Sequence, residues 1–417
     1  MNLKERIRQH LISGAISFGH SVQEAALKKE INKAIDYFVA LERISLSDDE
    51  RAKLLSELVD EVLGLGPLTP LVSDPNVTEI MVNGPGNVYA ERNGRMVLTD
   101  IRFEGTRHLM QTIEKIMAPT QRRVDESSPY VDCSLSDGSR VNIILPPLSL
   151  IGPVVTIRKF LGEIAAVDDL INRDTMTRQM ADFLIACIRA KMNIIFAGAT
   201  GVGKTTTLNV LSAFISGEER IVTIEDTQEL RLRQDHVVPL EARQSNIEGK
   251  GEVTIRDLFK NSLRMRPDRI ILGEIRGSEA LDMLQAISSG HTGSLAVLHA
   301  SSPRDVVSRI ETMILTSNSA IPLWAIRRQM AQAIDLIVMQ EQLIDGQRKM
   351  THITEVQSVS AEGDVVLRDL FSYEIQGIDE NSKKVVGRWR VHGIVPDFYP
   401  RFALSGNPLS QEMFREA

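Results

Sequence analysis

The stretch Gly198-Ala199-Thr200-Gly201-Val202-Gly203-Lys204-Thr205 fits the pattern G-x-x-x-x-G-K-[ST] at every fixed position, and it constrains the fold more tightly than any other feature of the chain. A triphosphate must be wrapped by several backbone N–H groups at once, and side chains in the loop would block that approach. Glycines at 198, 201 and 203 leave the room. Lys204 brings a flexible point charge to the β and γ oxygens, and the Thr205 hydroxyl can take one position on an otherwise hydrated Mg²⁺. Thr206, Leu208, Val210, Leu211 and Phe214 continue as a helix, so its N-terminal dipole faces the phosphates. Residues 193–197 read as a buried strand leading into the loop. Strand, loop and helix together predict nucleoside triphosphate binding.

The pattern on either side extends this to an α/β fold. After the loop come strands over 221–224 and 237–240, a helix over 254–265, a strand over 270–272, a helix over 278–289, a strand over 295–299 and a helix over 303–315. Strands alternating with helices at these lengths imply right-handed crossovers and a mostly parallel sheet covered on both faces, a RecA-like core. Strand-like segments around 351–358, 365–375 and 385–391 read as an antiparallel extension or a small C-terminal subdomain. Upstream, residues 1–74 are rich in helix formers, with Ser47-Asp48-Asp49-Glu50 as a capped start. Leu54, Leu55, Leu58, Val59, Val62 and Leu63 form an apolar stripe there, read as helix packing with a partner-docking groove as the alternative. Residues 75–160 change to short strands (77–82, 88–91, 141–145, 154–157) with a helix over 108–117, a small mixed α/β domain. Residues 161–178 read as a linker into a nucleotide-binding domain over 179–417.

With 417 residues and 43% apolar side chains the chain can form two or three cored domains. The formal net charge of −7 argues against a surface tuned as a whole to nucleic acid or anionic lipid. Five Tyr and two Trp, with no basic-aromatic run, leave little to stack bases on. Cys133 and Cys187 stand at no metal-ligand spacing and are too few for a disulfide framework, which predicts no zinc and a cytosolic setting. The charged start MNLKERIRQHLISG lacks the apolar segment of a signal peptide. The longest apolar stretch, 143–157, is broken by Pro146, Pro147, Gly152 and Pro153, so any membrane role is expected to be peripheral.

Catalytic candidates fall at strand ends, where an open parallel sheet places its ligand. Glu274 follows the strand at 270–272 and can orient an attacking water or hold a water on Mg²⁺; a helix cap with Arg276 is the bland alternative. An Asp is more usual where Gly273 stands, so the metal contact is expected to be less direct. Glu225 and Asp226 follow the strand at 221–224 and suit a general base and a metal-shell ligand. His291 and His299 flank the strand over 294–298, where a neutral imidazole can donate to a γ-phosphate oxygen or report its loss.

The loop, Thr-Ile-Glu-Asp-Thr-Gln-Glu-Leu at 223–230, the segments 246–258 and 264–269, and Gly290-His291-Thr292-Gly293-Ser294 through His299-Ala300 resemble the type II/type IV secretion and pilus ATPases, above all the tight-adherence (Tad/Flp) pilus branch. The resemblance continues in 77–85 and 137–142 and covers roughly residues 55–405. It implies a homo-hexameric ring of two-domain subunits, with ATP and Mg²⁺ bound between the mixed domain and the RecA-like domain. Glu225 matches the acidic-box general base, Glu274 the Walker B glutamate, and His291 and His299 the histidine box. Arginines from the mixed domain or a neighbouring subunit complete charge neutralisation, with Arg140, Arg158 and Arg243 as candidates. Such enzymes are cytoplasmic, sit peripherally on inner-membrane platform proteins and move pilin indirectly. Many type II assembly ATPases carry a tetracysteine zinc insertion; this chain has no CxxC, which favours the tight-adherence or conjugation-like branches. A type IV secretion traffic ATPase and a non-hydrolysing nucleotide-responsive scaffold are the alternatives.

Overall fold

The computed structural model describes residues 24–92, 94–120, 122–159, 164, 166–243, 245, 250–317, 320–380, 383–406 and 408–416, with Leu3, Arg6, Ile7 and His10. Residues 246–249 of the resembling segment 246–258 therefore lie outside the described residues, as do 161–163 and 165 of the expected linker. The chain divides into two compact units, Met1–Leu161 and Gly162–Ala417.

In the first unit, helices Glu24–Glu42 and Asp48–Leu63 pack through Leu27, Ile31, Ile35, Phe38 and Leu58. Ser47 caps the second helix: its hydroxyl accepts from the Glu50 N–H, and the Glu50 carboxylate accepts from the Ser47 N–H at 2.9 Å. Leu54, Leu55, Val59 and Val62 lie against this cluster, as helix packing requires, whereas Leu63 is exposed. Among the described residues, six strands form an antiparallel sheet: β1 (Val77–Asn83), β2 (Val88–Arg92), β3 (Arg95–Leu98), β4 (Tyr130–Ser134), β5 (Arg140–Ile144) and β6 (Val154–Arg158), in the order β3-β2-β1-β6-β5-β4. Helix Thr106–Met117 covers it with Leu109, Ile113 and Ile116. Two of these strands escaped the sequence reading. β3 is exposed along its whole length, so no buried side chain marks it. β4 is a five-residue segment with only two buried side chains, Val131 and Cys133, too short a run to stand out although Pro129 and the Asp137-Gly138 turn flank it.

The second unit is a single sheet of nine strands among the described residues, ordered β15-β14-β13-β12-β7-β11-β10-β8-β9. They are β7 (Ile194–Gly198), β8 (Ile221–Glu225), β9 (Val237–Glu241), β10 (Arg269–Leu272), β11 (Leu295–His299), β12 (Leu336–Gln342), β13 (Arg348–Val359), β14 (Val365–Ile378) and β15 (Val385–Val391). From β12 to β9 the pairing is parallel, and β13 to β15 continue the same sheet antiparallel, so the C-terminal strands are an extension and not a separate subdomain. Alternation along β7 serves two cores: Ile194 and Phe196 join Leu208, Leu211 and Phe183 on one face, and Ile195 and Ala197 join Ile224, Leu272 and Ile310 on the other. The expected linker is partly structured. Helix Val167–Asn172 buries Val167 and Leu170 in the first of these cores.

Candidate active site

β7 is buried at every residue and delivers the chain into the loop at Gly198. Gly198, Gly201 and Gly203 all have positive φ, of 151°, 79° and 99°, as a loop that turns its N–H groups inward requires. A Cβ at Gly198 would stand 2.1 Å from the Gln340 carbonyl oxygen and 2.9 Å from Val202 Cγ2, so the residue is glycine for packing as well as for ligand approach. Ala199 and Thr200 are exposed at the turn, while Val202 tucks into the core. The helix Lys204–Ser212 begins directly after Gly203. Lys204 is 6% exposed, and its ammonium donates to the Gly198 and Ala199 carbonyls at 3.0 and 2.6 Å, which aims it across the mouth of the loop. Thr205 and Thr206 stand partly exposed in the first helical turn.

Parallel pairing sets His299 opposite Gly198, and Leu272 opposite both Ile224 and Ala296, so the ends of β7, β11, β10 and β8 share one edge. Glu225, Asp226, Glu274 and His299 converge there. Arg276 bridges the acids, donating to Glu274 Oε2 at 2.6 Å and pairing with Asp226 Oδ2 at 2.9 Å. Its hydrogen bond to Glu274 strengthens its hold on the proton. Glu274 Oε1 lies 3.2 Å from His299 Nε2, and His299 Nδ1 is 3.5 Å from the Thr200 hydroxyl. A chain of polar contacts thus runs from Asp226 to the phosphate loop. Burial and then the Lys204 charge hold His299 below its ordinary pKa, against the opposing pull of Glu274, which favours the neutral imidazole.

Glu225 has a different environment from its neighbour. It is 3% exposed, and its Oε1 accepts from the Glu229 and Leu230 N–H groups at 3.0 Å each. Its Oε2 has no partner among the described residues. Burial pushes its pKa up to about 7, outweighing the two backbone donors. A fixed carboxylate with one oxygen aimed at nothing and a pKa near neutrality has the properties of a general base. Asp226 beside it is half exposed and paired.

Residues 61–398 match the family model described as type II/IV secretion system protein. The chain belongs to that family. A Mycobacterium tuberculosis protein named for conjugal transfer is 32% identical over 326 residues, which is 77% of this chain and 92% of the relative. The type IV secretion system protein PtlH of Bordetella pertussis is 34% identical over 313 residues, 66% of this chain and 89% of the relative. Among solved structures, the pilus retraction motor PilT with bound ADP aligns with a TM-score of 0.55 at 20% identity, over 72% of this chain and 84% of PilT, a likeness of fold.

With a complete phosphate loop and strand-end acids on one sheet edge, the chain is an ATPase of this type II/IV secretion family. The residues also fit Mg²⁺. Thr205 stands at the helix start and the Asp226, Glu274 and Glu225 oxygens lie on the same edge, yet no group of three or more His, Cys, Asp or Glu among the described residues would hold a metal unaided. Thr205, Asp226 and Glu274 would hold such an ion chiefly through its waters, and bound there it would offset charge on the β and γ phosphates.

The remaining candidates of this secretion ATPase are placed elsewhere. His291 precedes β11 at the opposite end of that strand, where its N–H and Nδ1 meet the Ala286 carbonyl at the end of helix Glu279–Ser288, so it does not join His299 beside the phosphate loop. The strand between them is the reason: the five residues of β11 put roughly 13 Å between its ends. Arg243 follows edge strand β9, four strands from β7, and its Nε donates to the Gly251 carbonyl at 2.6 Å. Arg140 and Arg158 lie in the first unit, directly opposite each other on β5 and β6. The sequence gives no sign that Arg276 bridges the acids or that Gln340 reaches the loop: Gln340 opens the polar run Gln340-Glu341-Gln342, and nothing in that run marks its first residue as buried.

Proposed function

We propose that this chain is the subunit of a homo-hexameric motor that powers assembly of a tight-adherence pilus, docked peripherally on inner-membrane platform proteins from the cytoplasm and moving pilin indirectly. The observation that carries the motor reading is the charge distribution at the sheet edge. Arg276, the arginine beside the acids, is bound to Asp226 and Glu274, so an arginine that joins Lys204 in neutralising the γ-phosphate is expected from elsewhere. Arg140 and Arg158, paired across two strands of the first unit, and Arg243 are the proposed suppliers, from the same or a neighbouring subunit. Supply from a neighbour makes turnover depend on a ring. The motifs at 77–85, 137–142 and 223–230 support the secretion and pilus ATPase reading, and the lack of any CxxC favours the tight-adherence or conjugation-like branches over the type II assembly enzymes.

A second reading, a traffic ATPase moving protein or DNA through a type IV channel, is favoured by the two relatives named for conjugal transfer and type IV secretion. Deleting the gene in its host and complementing with wild type or Lys204→Ala separates them. The pilus reading expects surface fibres to vanish while pilin accumulates in the membrane, with rescue by wild type only. Normal fibres with failed export of a protein or DNA substrate would overturn it in favour of traffic.

A further inference from the structure

Strand β12 carries one buried amide, set at the end of its apolar run. Gln340 is 4% exposed and follows Leu336, Ile337, Val338 and Met339, all core side chains. A buried amide is costly unless its groups are paired, so its contacts indicate why it is there. The Oε1 accepts from the hydroxyl of Thr207 at 2.9 Å, and Thr207 is fully buried in the first turn of the helix, two residues beyond Thr205. The Nε2 lies 3.0 Å from where a Cβ at Gly203 would stand, and the Gln340 carbonyl oxygen 2.1 Å from the same position at Gly198. One residue therefore touches the phosphate loop at its first and last glycine and the helix just behind it. The strand geometry is arranged for this. β12 pairs with β7 up to Met339 opposite Ala197, and its register with β13 shifts between Met339 and Gln340, an irregularity of the kind that re-aims a side chain.

We propose that Gln340 is a positioning residue for nucleotide binding, clamping the phosphate loop and the start of its helix in the shape that receives a triphosphate. It acts through Gly198, Gly203 and Thr207, not by contact with the nucleotide. Because β12 is also the strand on which the antiparallel extension β13–β15 is built, Gln340 is where that extension meets the loop. The inference rests on the ATPase activity and is independent of which cargo the motor moves.

Two substitutions in the full chain test it. Gln340→Leu removes the amide at similar volume, and Thr207→Val removes only the hydroxyl. Affinity for a fluorescent ATP analogue with Mg²⁺ is measured by titration alongside the unfolding midpoint, KM and kcat. Each single variant is expected to weaken binding roughly tenfold, the scale of one lost hydrogen bond, with KM rising by more than kcat falls. The double variant is expected to be no weaker than the weaker single, since both remove the same bond. Wild-type affinity in folded single variants, or losses that add in the double, would overturn the proposal. Should Gln340→Leu fail to fold, Thr207→Val decides alone, and wild-type affinity there overturns it.

Discussion

Gly273 and Glu225 occupy one space at the end of the sheet: a Cβ at 273 would stand 2.6 Å from Glu225 Cγ and 3.0 Å from its Oε1. Any side chain at 273, an aspartate included, would have to push Glu225 aside, because the side chain of the adjacent strand already fills that volume. The glycine that looked like a departure from the usual strand-end pattern is what lets Glu225 sit where it does.

Gly273→Ala should therefore displace Glu225 without touching the phosphate loop. We expect kcat to fall about 10²-fold, the scale of a misplacement of about 1 Å in a catalytic group, while ATP-analogue affinity stays within about twofold. Steady-state kinetics beside equilibrium binding would show it; unchanged kcat would remove Glu225 from the chemistry.

Burial raises Glu225 from 4.5 to about 7, and a base works only when ionised. Wild-type kcat should rise from about pH 6 to about pH 8 with a midpoint near 7, a rise missing from the residual activity of Glu225→Gln. Stability has the opposite sign. Between these two pKa values the folded state keeps a proton that the unfolded state has released, so the contribution of this group is full below 4.5 and is lost as pH rises through 7. Glu225→Gln, free of that loss, should gain up to about 3 kcal/mol on wild type between about pH 5 and about pH 8, measured by denaturant unfolding. A gap that stays flat with pH would contradict the raised pKa.

Glu274→Gln should keep nucleotide binding and stop turnover, because the loop that cradles the phosphates is left intact while the Arg276 and His299 contacts to the acid are weakened. Asp226→Asn, at the other end of the Arg276 bridge, should disturb Mg²⁺ dependence more than Glu225→Gln does. A Mg²⁺ titration of both variants reads this directly, and equal Mg²⁺ requirements would place Asp226 outside the metal shell.

Lys204→Ala should lower hydrolysis roughly 10²-fold or more, since it removes a charge aimed at oxygens that become more negative in the transition state. Mixed into wild-type protein, the same variant should depress activity by more than dilution if arginines act between subunits. Specific activity that stays constant down to monomer concentrations, checked by light scattering, would exclude that dependence.

The sequence by itself determined the loop, the strands that feed it and the acids at their ends. Those features are local: glycine spacing, apolar runs and a carboxylate at or just past a strand end are legible without knowing what lies beside them. Parallel pairing followed from alternating strands and helices, and the sheet edge that gathers Gly198, Glu225, Glu274 and His299 followed from the pairing. Strand β12 was not legible, because only Ile334 and Asp335 separate it from helix Leu323–Ala333 and no glycine or proline marks the change. Tertiary structure alone decided that Arg276 bridges two acids, that Glu225 is buried enough to hold a proton near neutrality, and that Gln340 reaches the loop. It also separated His291 from His299, which sequence treats as a pair. Distances across a sheet, and the desolvation that shifts a pKa, depend on which strands lie side by side, and that is settled only when the whole chain packs.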